Sequence, residues 1–362
     1  ENKMGLHSSP TAMLKFGENG NCRGWLLGEE NKGMSCMFQM MNEARIGTAL
    51  IGLANGAAAY HNALSYARER VQGVHISKVR DVDASRVAII EHPAVRHNLM
   101  QMKSKVEGMR ALLYATANAL DELTCLDKED PLYETNSMLL DILTPLCKGW
   151  CAETGIDTVR TAIQVLGGVG YTKDFPLEQM YRDIRVSAIY EGTTDIQALD
   201  LVGRKMTLQN GALFQTLMGR FSSNIEKNRE IPQLKSAYQQ WELQCESVYE
   251  MAMASKEVVE QRGIEGVALY ATPFLKFLAS VAAAGFLLEQ AVIAVSKLEN
   301  LVAEKAVMDS GLKEFLEENS EARFFNNKRI TAQNFVEAIV PEAEALMAGA
   351  KTQNYGALDI NF

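Results

Sequence analysis

The chain has 362 residues, of which 47% are hydrophobic and 22% charged, with a formal net charge of −9 and a sequence pI near 5.3. This length favours two domains, and the composition is typical of a globular protein. Nucleic acids and anionic membranes are bound through clusters of lysine and arginine, so the acidic balance argues against both kinds of partner.

The N-terminus, the most apolar run and the cysteines bear on where the protein resides. The chain opens with Glu1 and shows no signal peptide, so we expect a fragment or a processed chain. Its most apolar run, residues 277–288, is shorter than the roughly 20 residues that cross a bilayer and predicts a core helix without a membrane span. The six cysteines form no CxxC pair, and the five histidines lack zinc-helix spacing, so we predict reduced thiols and no metal site.

The order of elements indicates a helical protein. Residues 1–33, rich in glycine and asparagine, predict strands and turns, and residues 72–84 predict a loop. Apolar residues at helical spacing, together with prolines at first-turn positions, predict a first set of helices. These cover residues 34–70, 93–123, 131–166 with a bend at Pro145, a short helix from 177, and a helix ending near 206.

A second helical set follows residue 207. Its predicted helices cover residues 211–226, 233–261, 265–308 and 331–350, and residues 353–362 predict an extended tail. The sequence therefore predicts a mainly α fold, an antiparallel bundle followed by a second helical domain.

One turn presents a carboxylate directly before a helix. Residues 189–197 read IYEGTTDIQ. We interpret Thr194 and Gln197 as a capping box, with Gly192 supplying a permissive backbone just ahead of it. Glu191 is then held on a short turn by the helix that follows. Spacing alone favours a solvated loop glutamate over a catalytic residue.

Other motifs have structural explanations. Residues 167–170 read GGVG, but a helix precedes them and a lysine stands where a dinucleotide-binding loop has its last glycine, which indicates a helix C-cap. Arg182 and Asp183 predict a surface ion pair of little energetic weight. Arg45 breaks an apolar helix face, and Arg68 and Arg70 close that helix, where cations favour its dipole.

Several stretches, in the same order, resemble the C-terminal part of the acyl-CoA dehydrogenases. The strongest is AIQVLGGVGYTKDFPLEQMYRDIRVSAIYEGTTDIQ at residues 162–197, and others lie at 3–16, 26–34, 42–47 and 66–73. The resemblance covers about residues 1–206. VQGVHI, EHPAVRH and the extra helices are similar to the longer bacterial branch, which includes enzymes resembling 3-methylmercaptopropionyl-CoA dehydrogenase.

This resemblance implies three regions. Residues 1–33 are expected to be a remnant of the middle β-domain, residues 34–206 the C-terminal four-helix bundle with the FAD and catalytic residues, and residues 207–362 an additional helical domain. No second acid–base constellation is visible in residues 207–362, so we expect this domain to contribute subunit packing. The bacterial branch implies a bacterial protein of the cytoplasm. The expected fold is thus mainly α with a short β remnant at the N-terminus.

The resemblance also implies roles around the turn. Glu191 matches the base that removes the α-proton of an acyl-CoA, a step that needs a positioned, desolvated carboxylate. Tyr190, with Ile189, is expected to exclude water. The backbone N–H of Glu191 is expected to polarise the thioester oxygen, and Gly192 to let the backbone approach the substrate. Arg45 matches an arginine at the substrate end of the bundle.

The expected FAD contacts come from four further positions and Thr193. Thr193 matches a residue near the FAD phosphates, and Arg70 an arginine that meets the pyrophosphate. Gln164, Gly167 and Gly168 match the segment that embraces the adenine end across a dimer interface. Two positions depart from the family pattern: Val71-Gln72-Gly73 follows the arginine in place of Phe-Gly, and Asp195 replaces a common glutamine.

Alternative functions stay open at this stage. The favoured one is an FAD-dependent acyl-CoA dehydrogenase that passes electrons to electron-transfer flavoprotein and forms a homodimer or homotetramer, with this chain poorly active alone. An acyl-CoA oxidase is a near neighbour. A non-catalytic helical oligomerisation or interaction module belongs to another class. A nucleic-acid-binding flavoprotein of the same fold is disfavoured by the acidic charge.

Overall fold

A computed structural model describes residues 1–361, except for the side chains at positions 35, 38, 39 and 309. The main helices are α1 Gly33–Glu69, α2 Pro93–Cys125, α3 Pro131–Leu166, α4 Leu177–Ile184, α5 Thr194–Asp200, α6 Ala212–Asn228, α7 Lys235–Leu269, α8 Ala271–Glu304, α9 Leu312–Glu318, α10 Ser320–Asn334 and α11 Val340–Ala345. Short helices α12 Ala348–Lys351 and α13 Gly356–Asp359 follow, and α5 and α10 continue as π-helical turns Leu201–Lys205 and Phe335–Ile339. Strands β1 Val71–Val74 and β2 Arg86–Ala88 pair antiparallel. The predicted helical architecture is confirmed.

The first set is an up-down-up bundle of α1, α2 and α3. Lys105 pairs with Asp157 at 2.8 Å, and the Cys151 thiol lies 3.9 Å from the Met109 carbonyl, so α2 runs antiparallel to α3. Asp130 caps α3 by accepting the Leu132 N–H at 2.8 Å. Helix α3 is a single element that includes Pro145.

Helices α1 and α3 run parallel and touch backbone to backbone. A Cβ atom added at Gly52 would overlap the Cys151 carbonyl, and one added at Gly155 would lie 2.5 Å from the Gly52 carbonyl oxygen. Side chains other than hydrogen do not fit at such a crossing, which explains the paired glycines. This close approach fixes the spacing of the two helices that carry Arg45 and Lys148.

The second helical set shares one hydrophobic core with the bundle. The main buried cluster includes α1, α2 and α3 residues together with residues of α6, α7, α8 and the Phe335–Ile339 turn. Leu275 of α8 packs on Gly149, and the rings of Trp150 and Phe335 meet edge to face at 6.0 Å. The hydrophobic core therefore continues across the domain boundary that the sequence predicts at residue 207.

Helix α8 is the central helix of this shared core. It is long and apolar enough to span a membrane by length and composition alone, yet 78% of its most apolar window is buried inside the protein. This confirms the prediction that its apolar run forms a core helix.

Some local predictions differ from the structure. Residues 1–32 contain bends and turns without a strand, and apolar side chains such as Phe16 and Trp25 are exposed there, so they bury no sheet face that would favour a strand. The predicted loop at 72–84 overlaps β1, which pairs with β2. The predicted C-terminal tail contains α13 and the buried Tyr355; its last residue, 362, lies outside the described residues.

Candidate active site

The centre of the candidate site is the turn between a short helical segment, Arg185–Ala188, and α5. Glu191 has φ +55° and Gly192 has φ +86°. Left-handed backbone is uncommon for a residue with a side chain and persists only where the surrounding structure enforces it. Gly192 also admits a close neighbour, because a Cβ atom there would lie 2.6 Å from the Gln197 side-chain nitrogen.

Two buried side chains hold this turn by its carbonyl groups. The Gln197 amide donates to the Glu191 carbonyl at 3.2 Å, and the Lys148 ammonium donates to the Gly192 carbonyl at 2.5 Å. Within residues 1–361, the N–H groups of Glu191 and Gly192 donate no hydrogen bond to another protein group. Because a trans peptide directs its N–H opposite to its C=O, the Gly192 N–H points away from Gln197.

The helix cap next to this turn is shifted by one residue from the prediction. Thr193, not Thr194, caps α5 by accepting the Ile196 N–H at 3.2 Å. Gln197 does not complete a capping box, because its amide reaches the Glu191 carbonyl instead. The Thr194 hydroxyl donates to Glu153 at 2.9 Å.

Charged groups from three helices meet behind the turn. Burial, followed by the nearby Arg45 guanidinium, lowers the pKa of Lys148 to about 8, while Glu153 and Glu191 act in the opposite direction. Glu153 lies 3.6 Å from Lys276 of α8. Two buried cations of α1 and α3 thus lie beside a half-buried ion pair that joins α3 to α8.

Arg45 is buried with one donor unused. Its side chain is 6% exposed and donates to Asn42 at 3.3 Å. Its Nε has no hydrogen-bond partner among the described residues. An unpaired donor on a buried cation lowers the stability of the fold. This guanidinium therefore suits a polar ligand, in agreement with the substrate-end position that the resemblance implies for Arg45.

The two residues before Glu191 differ in their surroundings. Tyr190 is half-buried, and burial followed by the Glu191 charge raises its pKa. Ile189 is 53% exposed. Of the two residues expected to exclude water, only Tyr190 is withdrawn from solvent within this chain.

A second group of predicted site residues lies at the far end of the bundle. Arg70 ends α1, and Gln164, Gly167 and Gly168 end α3; all four are exposed. Gln164 is sixteen residues beyond Lys148 on α3, which corresponds to about 24 Å along the helix axis. The structure therefore does not bring these four residues to Glu191 within one chain.

The glycine turn in this group is the helix cap that the sequence predicts. Gly167 has φ +65° and closes α3 through its N–H to Gln164 and Ile163. A Cβ atom added at Gly167 or Gly168 would meet nothing within 4 Å. The bare backbone of this turn is open to a ligand or a neighbouring chain.

Arg182 and Asp183 do not form the predicted ion pair with each other. Arg182 pairs with Glu178 at 3.0 Å, one turn earlier on α4, because that spacing places the two side chains on one face. It also donates to the Met4 carbonyl at 3.0 Å, and Asp183 accepts the Leu6 N–H at 2.7 Å. Together they fasten the N-terminal segment to α4.

Sequence reasoning missed Lys148 and the side-chain role of Gln197. A signal existed for Lys148, since a lysine interrupts an otherwise apolar stretch at residues 146–151. The stretch does not reveal which carbonyl this lysine would meet 44 residues further on.

Two family models match most of the chain. The first describes an acyl-CoA dehydrogenase C-terminal domain and matches residues 31–206; the second describes an acetyl-CoA dehydrogenase C-terminal-like domain and matches residues 214–361. The chain belongs to the acyl-CoA dehydrogenase family. The family predicted from the residues 162–197 block is thereby confirmed.

Relatives within the acyl-CoA dehydrogenase family include long bacterial enzymes. A butyryl-CoA dehydrogenase of Syntrophomonas wolfei is 31% identical over 99% of this chain and 57% of its own length. A 3-methylmercaptopropionyl-CoA dehydrogenase of Ruegeria pomeroyi is 42% identical over 58% of this chain and 34% of its own length. The chain thus spans little more than half of the first relative.

A solved structure of the same fold supports the arrangement of both helical sets. Caenorhabditis elegans ACDH-11, crystallised in complex with C11-CoA, superimposes with a TM-score of 0.64 at 18% identity, covering 91% of this chain and 50% of its own. At this identity the likeness concerns the fold alone.

Proposed function

We propose that the whole protein oxidises an acyl-CoA between Cα and Cβ to a trans-2-enoyl-CoA, with Glu191 as the base. The observation that carries this proposal is the conformation of the Glu191 turn. Glu191 has a left-handed backbone, and buried side chains donate hydrogen bonds to its carbonyl and to the carbonyl of Gly192. Family membership supports the reaction class, and relatives named for butyryl-CoA and 3-methylmercaptopropionyl-CoA support an acyl-CoA thioester as substrate.

Each residue of the turn has a defined task in this reaction. The Glu191 carboxylate takes the α-proton of the thioester. The free Glu191 N–H is available to the thioester oxygen, where it would stabilise negative charge that develops as the proton leaves. Gln197 and Lys148 hold the turn in place, and Arg45 offers its unused donor at the substrate end.

The exposed residues at the far end of the bundle suit a flavin nucleotide. Arg70 presents a guanidinium that forms no ion pair within the described residues, and such a fork of donors matches a pyrophosphate. Gly167 and Gly168 leave backbone open for an adenine end. FAD, when bound, would accept the hydride that leaves Cβ.

Thr193 suits a phosphate while it caps α5. Its hydroxyl oxygen accepts the Ile196 N–H, and its own O–H proton stays available because a hydroxyl both donates and accepts.

The spacing of the two groups of residues favours an oligomer. Since about 24 Å separates Gln164 from Lys148 along α3, one bundle would serve one FAD with its base region and a second FAD with its glycine turn. We propose a homodimer or homotetramer on this ground, with electron-transfer flavoprotein as electron acceptor and the cytoplasm as location. Residues 34–206 are proposed as the catalytic bundle and residues 207–362 as a helical domain that braces it.

The test is anaerobic mixing of the full-length protein with a panel of acyl-CoAs, followed by flavin absorption. Wild type is expected to bleach with at least one acyl-CoA. The Glu191→Gln variant is expected to hold flavin and ligand without bleaching, and the exposed Glu226→Gln variant to bleach as wild type does. Bleaching of Glu191→Gln at the wild-type rate would place the base elsewhere.

The same experiment separates the alternative functions. If acyl-CoA bleaches the flavin and air then reoxidises it rapidly, with formation of hydrogen peroxide, the protein is an oxidase. A full-length protein that holds no flavin would favour the non-catalytic interaction module.

A further inference from the structure

Lys148 is a buried cation in the middle of a packed bundle. Its side chain is fully buried, and it sits among the core residues Leu146, Cys147 and Trp150 of α3. A lysine is seldom placed in such a position unless its charge has partners. Its one hydrogen bond among the described residues goes to the Gly192 carbonyl, the residue directly after Glu191.

The charges that face Lys148 come from every element around it. Arg45 of α1 repels its ammonium, while Glu153 of α3 and Glu191 of the turn attract it. Glu153 is itself shared with Lys276 of α8 and the Thr194 hydroxyl. Of the two carboxylates that attract Lys148, only Glu191 forms no ion pair with another cation among the described residues.

We propose that Lys148 is the positioning residue of the base: its ammonium holds the Gly192 carbonyl and supplies the positive charge that faces the Glu191 carboxylate. The proposal rests on the proposed function of Glu191 as base. Two effects are separable in it, since the hydrogen bond fixes the turn and the charge favours an ionised carboxylate. When Glu191 takes a proton, the ammonium loses one of its two attracting carboxylates.

Two substitutions separate these effects. Lys148→Gln removes the charge and keeps an N–H donor, whereas Lys148→Met removes both at similar volume. The matched control is Lys205→Gln, because Lys205 is also buried and paired, at 2.5 Å with Asp141, in a different part of the bundle.

The readout is anaerobic flavin reduction of the full-length protein across a range of pH. Loss of a hydrogen bond from a charged donor corresponds to about 10- to 100-fold, so we expect Lys148→Met to reduce flavin about that much more slowly at saturating acyl-CoA. In both Lys148 variants the acidic limb of the rate profile is expected to move to higher pH, while Lys205→Gln keeps the wild-type profile. A wild-type rate and profile in both variants overturns the proposal.

A second measurement leaves Lys148 in place and covers variants that fail to fold. Lysine labelled with ¹³C at Cε is incorporated in wild type and in Glu191→Gln, and the resonance that titrates near pH 8 is followed. Removal of the Glu191 charge is expected to lower its titration midpoint. An unchanged midpoint overturns the coupling.

The two measurements distinguish failure of this proposal from failure of the proposed function. If wild type binds flavin but no acyl-CoA of the panel reduces that flavin, the proposed function is contradicted. The lysine titration still decides whether Lys148 and Glu191 are coupled. Normal bleaching with a Lys148-independent profile contradicts only the positioning role.

Discussion

Glu191 occupies a backbone conformation that its own side chain does not favour. Its φ of +55° is followed by +86° at Gly192, and both carbonyls are fixed by buried donors. Such strain at one residue is maintained by contacts around it. At the residue scale, the molecule places its stabilising contacts behind the turn and leaves the N–H groups in front of it free.

Lys148 makes stability depend on pH in a defined direction. Its pKa is about 8 in the folded chain, against about 10.4 for an unperturbed lysine. Between these values the unfolded chain binds a proton that the folded chain has released, so the free energy of unfolding rises with pH. Urea unfolding of the full-length protein and of Lys148→Met at pH 7.5 and 9.5 should show wild type gaining relative to the variant at the higher pH.

Equal differences between the two proteins at both pH values would contradict this prediction. Comparing wild type with the variant removes the contribution of the other titrating groups, because these are present in both.

At the scale of elements, the contact between α1 and α3 decides where the site residues stand. Gly52 and Gly155 let the two backbones touch, and the side chains of Arg45 and Lys148 lie on the same pair of helices. A wider spacing would move both cations relative to the turn.

Adding a methyl group at this contact is expected to destabilise the fold. A Gly52→Ala change places a Cβ atom onto the Cys151 carbonyl, and overpacking of this kind costs about 1–3 kcal/mol. Gly47→Ala on the same helix is the control, because a Cβ atom there meets nothing within 4 Å and alanine favours helix. Urea unfolding should show a loss of stability for Gly52→Ala and none for Gly47→Ala.

Helix α8 is the element that links the second helical set to the candidate site. Its first turns place Thr272 at 2.5 Å from Asp195 of α5, Leu275 against Gly149, and Lys276 near Glu153. The second set therefore contributes contacts to the site without contributing one of the proposed catalytic residues.

At the scale of the whole molecule, one core joins the two helical sets. A full-length protein shortened to end at residue 206 would expose Gly149 and the ring of Trp150, which Leu275 of α8 and Phe335 cover. We expect it to aggregate or to lose cooperative unfolding, as measured by soluble yield and thermal melting. A version that ends at residue 355, which keeps the buried Tyr355, should melt cooperatively; cooperative melting of the shorter version would show that the bundle is independent.

Sequence patterns predicted what depends on local spacing. The bounds of α1, α2 and α3 follow from apolar periodicity and from Pro93 and Pro131, and the end of α3 follows from Gly167. Contacts between distant segments had no such pattern. The ammonium of Lys148 meets a carbonyl 44 residues away, and Arg182 reaches Met4. The predicted capping box of α5 does not form because the Gln197 amide donates to the Glu191 carbonyl instead.

Gly149 and Leu275 give this shared core an evolutionary consequence. A Cβ atom at Gly149 would lie 3.0 Å from a Leu275 methyl group, so a larger residue at position 149 requires the Leu275 side chain to shift or to be replaced. Sequence changes in the two helical sets are consequently coupled at this contact. A recombination event that joined the bundle of one lineage to the second set of another would inherit a mismatched seam directly behind the candidate base.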